Sequence, residues 1–296
     1  QSLRARCKSA YDDGFLMDVA LQIDGAKGTD LDTFSNQISG WETQWQSYFN
    51  QRMGELEAGR ISMQNLAAVF RGACHAERWS KAGLDPIKFF DNLNEDEKKT
   101  VYEAILLRYY FKNMIRLRWD EDQSDTTVFM KTKKGNCTVL NVMAQHMLRT
   151  TGSNLYRSLI LPNHITLTLQ TSQGQLYFET SGDLLFYPPG YYEKLTDHEF
   201  IRRNDQTEIE PWQTLGAVYS NAGYRAVLDR DWEKARVALE AALDIVPDST
   251  NANHFMGKTL MQLGDREGAI RHFRRALDSS PGYTDSQRLL DELNAG

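Results

Sequence analysis

No run in these 296 residues approaches the roughly 18 to 20 consecutive apolar positions that cross a bilayer, and no apolar signal core opens the chain. No membrane span is therefore expected in the visible chain. An excess of positive charge is missing too. Lys and Arg number 34 against 40 Asp and Glu, a net of −6, with both signs mixed along the sequence. That mixture offers no basic face to phosphate backbones, so nucleic acid is not an expected partner. Cysteine is scarce: Cys7, Cys74 and Cys137 are too few for a disulfide framework. Pairing of Cys7 with Cys74 would imply an oxidising compartment and leave Cys137 a lone thiol, and two buried free thiols are the alternative. The chain begins at Gln1 rather than Met, so a removed segment is expected. An extracytoplasmic location, periplasmic or secreted after loss of a signal, is favoured over a cytoplasmic one.

What is present divides in three. Residues 1–120 read as a helical N-terminal region. The clearest helix follows Asn94, where Asn94 and Glu97 have capping-box spacing ahead of a run to about Trp119. Val101, Ile105, Leu106, Tyr109, Tyr110 and Met114 recur along it at helical intervals. Residues 121–205 hold a mixed core. A polar loop over 120–127 leads to Cys137, an apolar helix runs from there to a C-cap near Gly152, and β-rich stretches follow at 156–161, 165–169 and 176–178. Ser172, Gln173 and Gly174 suit a hairpin turn, and the polar stretch up to about Glu210 reads as a linker.

Residues 206–296 carry an internal repeat. Gly223 recurs as Gly257, Ala235 as Ala269, Ala242 as Ala276 and Pro247 as Pro281, each pair 34 residues apart. That is the tetratricopeptide period, with small residues where two antiparallel helices meet and a proline ending the second helix. Leu239 and Phe273 are expected to fill the gap between hairpins. Helices are expected from about Trp212 onward, with breaks near 223–231 and 264–265 and a capping helix over 285–293.

Chemistry is most legible around Cys137. At a helix start, backbone N–H groups and the helix dipole stabilise a thiolate. A thiol nucleophile also needs a base, and His164 opens a strand in Pro162-Asn163-His164. The base in turn needs an orienting acceptor, which Glu179 supplies at the end of the next strand, with Asp183 the alternative if the hairpin turns about Gln173 and Gly174. The ordinary reading makes Cys137 a small core residue, His164 a strand-end residue and Glu179 a solvated edge.

Lys134-Gly135-Asn136-Cys137 opening an apolar helix, Leu161-Pro162-Asn163-His164 opening a strand, and the stretch 174–180 together resemble the transglutaminase-like superfamily, especially its SirB1-type bacterial branch. The resemblance implies an α+β chain. Its expected parts are a helical N-terminal region, a papain/transglutaminase-like core of helix plus antiparallel sheet, and an all-α tetratricopeptide hairpin pair. It further implies acyl transfer or hydrolysis at an amide or isopeptide bond of a protein or peptide, with Cys137, His164 and Glu179 as the catalytic set and no cofactor or metal. Two departures stand out. Asn163 occupies a position where glycine is usual, and Glu179 stands where aspartate is usual. Gln145 and Asn141 are expected to face solvent or satisfy local contacts. His75 beside Cys74 does not make a metal site, because neighbouring helical residues point apart. His146, His254 and His272 read as surface or core residues. An inactive adaptor that binds proteins through its repeats is the alternative function.

Overall fold

The computed structural model describes residues 2–153, 155–182, 184–192 and 207–295. Among these, helices dominate, with one small antiparallel sheet in the middle and an all-helical C-terminal region. The N-terminal part comprises α1 (Leu3–Asp12), α2 (Leu16–Ile23), α3 (Thr29–Glu57), α4 (Met63–Gly72), α5 (Ala76–Lys81), α6 (Pro86–Asp91) and α7 (Glu95–Tyr109). Along α3 the buried residues Phe34, Ile38, Trp41 and Trp45 recur every three or four positions, so one stripe faces the core. Trp45 Nε1 donates to the Met147 carbonyl at 3.0 Å, and the Tyr110 hydroxyl donates to the Trp41 carbonyl at 2.7 Å. Polar tips thus find partners where the rings are fully enclosed.

The capping box at α7 forms as its spacing predicts: Glu97 N donates to Asn94 Oδ1, and Asn94 N to Glu97 Oε2, both at 2.9 Å. The helix does not run on to Trp119. It widens into a π-helical turn at Tyr110–Met114, reverses at Arg116 with φ 57°, and continues as the short strand β1 (Arg118–Trp119). The reason is a pairing that no local periodicity reveals. β1 lies parallel to β2 (Lys134–Gly135), with Arg118 opposite Lys134 and Trp119 opposite Gly135. The polar loop also holds an unforeseen helix, α8 (Thr126–Thr132), started by Asp125, whose carboxylate accepts from the N–H groups of Thr127 and Val128.

The central helix α9 (Cys137–Thr150) is buried on every side from Thr138 to Leu148. It packs against the sheet formed by β3 (Tyr156–Leu161), β4 (His164–Thr171), β5 (Gly174–Phe178), β6 (Phe186–Tyr187) and β7 (Thr207–Ile209), ordered β6-β5-β4-β3-β7 and antiparallel throughout. The three inner strands match the β-rich stretches. The two edge strands are additions, and β7 corrects the reading of its residues as linker. Two- and three-residue strands carry too short a pattern to stand out, and here pairing to a longer neighbour creates them.

Five helices follow: α10 (Thr214–Leu228), α11 (Trp232–Ile245), α12 (Thr250–Gln262), α13 (Arg266–Ser279) and α14 (Thr284–Ala295). The first break falls after Leu228, later than Gly223, and the second at Leu263–Asp265. Gly223 and Gly257 sit mid-helix for close approach rather than for a turn. A Cβ on Gly223 would stand 2.6 Å from Leu239, and one on Gly257 2.6 Å from Phe273. The large residues therefore fill the space within each hairpin, α10 on α11 and α12 on α13, and also reach the next element, Leu239 clustering with Ala252 and Met256 of α12 and Phe273 with Leu289 and Leu290 of α14. Leu215, Val218, Ile245 and Val246 of the first hairpin belong to the main core. Cys7 and Cys74 are both free and buried, so the pairing considered from sequence is absent. Burial pushes both thiols up.

Candidate functional site

Three short pieces of backbone determine the site. The first is the entry to α9. Asn136 is its N-cap, accepting from Val139 N at 3.2 Å, so Cys137 becomes the first helical residue. Gly135 permits that start, because a Cβ there would stand 3.0 Å from Val139 and 3.1 Å from Phe129. Asn136 N donates to the Gln123 carbonyl at 2.7 Å, which fixes the loop before α8 against the helix start.

The second piece is the turn between β3 and β4. Leu161 pairs with His164 across the two residues Pro162 and Asn163. Asn163 has φ 58°, in the left-handed region that glycine and asparagine enter most readily. Asparagine in place of glycine therefore preserves the turn. The third piece is the β4–β5 hairpin, which turns at Ser172 and Gln173 with Thr171 opposite Gly174. Carried forward from Leu167 opposite Phe178, this register sets Glu179 level with Thr166, diagonal to His164 on the same face. Asp183 lies outside the described residues.

These pieces bring Cys137, His164 and Glu179 together. His164 Nε2 donates to Glu179 Oε2 at 2.8 Å, and the His164 ring lies near enough to the Cys137 thiol to lower it. With Nε2 committed to the carboxylate, Nδ1 is the ring nitrogen left for sulfur. The Ile165 N–H acts on the thiol in the same direction. Glu179 is only 4% exposed, so its charge depends on partners. Besides His164 it accepts from Ser181 Oγ at 3.2 Å and from the Tyr192 hydroxyl, while the nearby Thr166 hydroxyl donates to the Phe178 carbonyl at 3.1 Å. The imidazole keeps 23% of its surface exposed, and Cys137 is half-buried, so reagents reach the pair.

The electrostatics follow from that enclosure. Burial alone would raise the Cys137 thiol, but hydrogen bonding and charge from His164, with the Ile165 N–H, hold it below its ordinary value. Burial alone would lower His164, yet Glu179 and the thiolate lift it well above the usual imidazole range. Burial opposes the Glu179 charge as well, and the imidazolium and hydroxyl donors overcome it, leaving the carboxyl lowered. Each shift thus acts toward the charged form, thiolate, imidazolium and carboxylate respectively. Such an arrangement can attack a carbonyl carbon and return a proton to the departing group.

Thr166, Ser181 and the Ile165 N–H had no part in the sequence reading, and Tyr192 entered it only within an aromatic cluster, Phe186, Tyr187, Tyr191 and Tyr192, expected to rim the site or, more commonly for such clusters, to pack under the linker. Thr166 was within reach of that reading, since two residues along a strand from His164 is the same face. The bond from the Tyr192 hydroxyl to Glu179 was not, because nothing in a Pro-Gly-Tyr cluster reports that one hydroxyl meets a carboxylate. Tyr192 is buried in an aromatic cluster with Tyr177 and Tyr191, at centroid distances of 5.0 and 4.9 Å, and its ring centroid lies 6.2 Å from that of His164. Asn141 and Gln145 do not face solvent. Gln145 Nε2 donates to Ser158 Oγ at 3.1 Å, and Ser158 Oγ donates to Asn141 Oδ1 at 2.7 Å, a buried bridge from α9 to β3. His146 and His254 are core residues and His272 is half-buried. No His, Cys, Asp or Glu group among the described residues is suited to a metal.

The C-terminal helices reach this site directly. Tyr283, in the connection between α13 and α14, lies beside the side chain of Asn163, and burial pushes its hydroxyl up to about 12. Comparison with known proteins finds a match at the same end of the chain: the tetratricopeptide repeat family matches residues 226–293. No curated protein and no solved structure matches the chain. Residues 226–293 are thus tetratricopeptide repeat, a scaffold for contacts between proteins.

Proposed function

We propose that the protein is a transglutaminase-like cysteine enzyme acting on an amide or isopeptide bond of a protein or peptide, with the repeats docking that partner. The observation that carries the reading is the His164–Glu179 hydrogen bond beside the lowered Cys137 thiol, with the acid enclosed among hydroxyl donors.

In the first half-reaction Cys137 Sγ, its proton already on His164, attacks the carbonyl carbon. The Cys137 N–H belongs to the first turn of α9, which has no intrahelical acceptor, and it is the natural donor to the oxyanion. Collapse breaks the C–N bond, the amine leaves with the proton from His164, and a thioester remains. Water or a second amine then gives its proton to His164 and attacks the thioester, and the departing sulfur returns to the thiolate–imidazolium pair. Water makes the outcome hydrolysis, and an amine makes it transamidation.

Acyl capture tests the reading without the natural substrate. Wild-type protein mixed with p-nitrophenyl acetate should release a burst of nitrophenol close to one equivalent, with the acetyl group on Cys137 by mass spectrometry. His164→Ala should abolish the burst. An acetyl group spread over lysines, with Cys137 unmodified, would refute the enzyme reading and favour the adaptor, which the repeat match supports independently.

A further inference from the structure

A net charge of −6 conceals one cationic cleft. It encloses about 650 Å³, and Lys112, Arg116, Arg118 and Lys133 line it together with Asn113 and Thr132. No carboxylate is among its lining residues. Asp120, close by in sequence, is turned to Lys134, 3.3 Å away. The even mixing of charge along the chain is therefore not reproduced on the surface.

Irregular backbone shapes the cleft. One wall comes from the π-helical turn at Tyr110–Met114 and the left-handed Arg116, the other from Lys133, which ends α8 with φ 58°. Arg118 N donates to the Lys133 carbonyl at 2.9 Å and joins the two. π-turns and left-handed non-glycine residues are strained arrangements that concentrate where a site needs them. From Lys133 the chain passes through β2 and Asn136 to Cys137. Four residues of extended chain span at most about 14 Å, so Lys133 at the cleft's edge lies within that distance of Cys137.

We infer that this cleft binds an acidic stretch of the polypeptide whose carbonyl Cys137 attacks; the inference rests on the acyl-transfer reading. Charge selects carboxylates, and two arginine forks bind them in pairs. The cleft is far larger than one phosphate needs, and Asn113 and Thr132 add groups able to hydrogen-bond a peptide backbone. Continuity with the helix start places the acidic residues a few positions from the attacked bond.

The test uses full-length Cys137→Ala protein and a fluorescein-labelled hexaglutamate peptide, read by anisotropy. Saturable binding that weakens with added salt is expected. Arg116→Glu with Arg118→Glu should weaken it more than about tenfold, while Lys8→Glu, an exposed charge change in α1, should leave it unchanged. Arg116→Gly removes a cation while relaxing the left-handed backbone, and it should still weaken binding measurably if the double reversal fails to fold. Absence of saturable binding, equal weakening by Lys8→Glu, or tighter binding of a DNA 12-mer or of inorganic phosphate than of the peptide would overturn the inference. Loss of peptide binding beside an intact acetyl burst defeats this inference alone. Peptide binding beside an inert Cys137 would defeat the substrate assignment through failure of the acyl-transfer reading.

Discussion

A buried carboxyl group behaves according to its donors, and two glutamates in this chain show opposite outcomes. Glu179 has the His164 imidazole and two hydroxyls, those of Ser181 and Tyr192, and its carboxyl is lowered. Glu103, 6% exposed in α7, has only the hydroxyls of Thr151 and Ser153, and burial raises it from 4.5 to about 7. The sign of its effect on stability follows. Between those values the folded state keeps a proton that the unfolded state has lost, so stability falls as pH rises through the window. The drop amounts to about 3 kcal/mol over the window. Urea unfolding of wild type and Glu103→Gln at pH 4.5, 6 and 8 should show the difference between them changing by that amount, whereas parallel profiles would exclude it. Cys137 and His164 were identifiable from sequence because a helix start and a strand start are local signals. The hydroxyl cage around Glu179 was not, since Tyr192 meets it through a fold-dependent aromatic cluster.

Elements with strong local signals formed where expected. The capping box at Asn94, the three inner strands and the 34-residue period each rest on spacing within one segment. The elements that escaped notice depend on partners elsewhere: β1 on β2, β6 on β5, and β7 on β3. α8 depends instead on one aspartate ahead of a β-branched run that reads as extended. At the turn before His164, the left-handed Asn163 makes a prediction of its own. Asn163→Gly should preserve stability to within a few tenths of a kcal/mol, while Asn163→Val, β-branched at positive φ, should cost about 1 to 2 kcal/mol. Thermal unfolding of the three proteins checks this, and an Asn163→Gly as costly as Asn163→Val would contradict it.

At the scale of the whole molecule, the repeats and the candidate site are built into one another. Arg225 of α10 ion-pairs with the fully buried Asp24 of α2 and donates to the Ser124 carbonyl at 2.7 Å. Ser124 belongs to the loop whose Gln123 carbonyl receives the N–H of Asn136, one residue before Cys137. Tyr283 lies beside the turn before His164 on the other side. The repeats thus contact the approaches to both the nucleophile and its base, an arrangement suited to presenting a docked chain to the thiol. Repeat spacing identified the hairpins, but no sequence signal told where they would rest. The proposed chemistry requires that His164 make Cys137 a thiolate. The direct measurement is the rate of iodoacetamide labelling at Cys137, mapped by mass spectrometry, from pH 5 to 9. Wild type should label rapidly well below the ordinary thiol range of about 8.5, His164→Ala only as pH approaches that value, and Glu179→Gln in between. Labelling of Cys137 that is slow at neutral pH, or that follows the same profile with and without His164, would contradict the account.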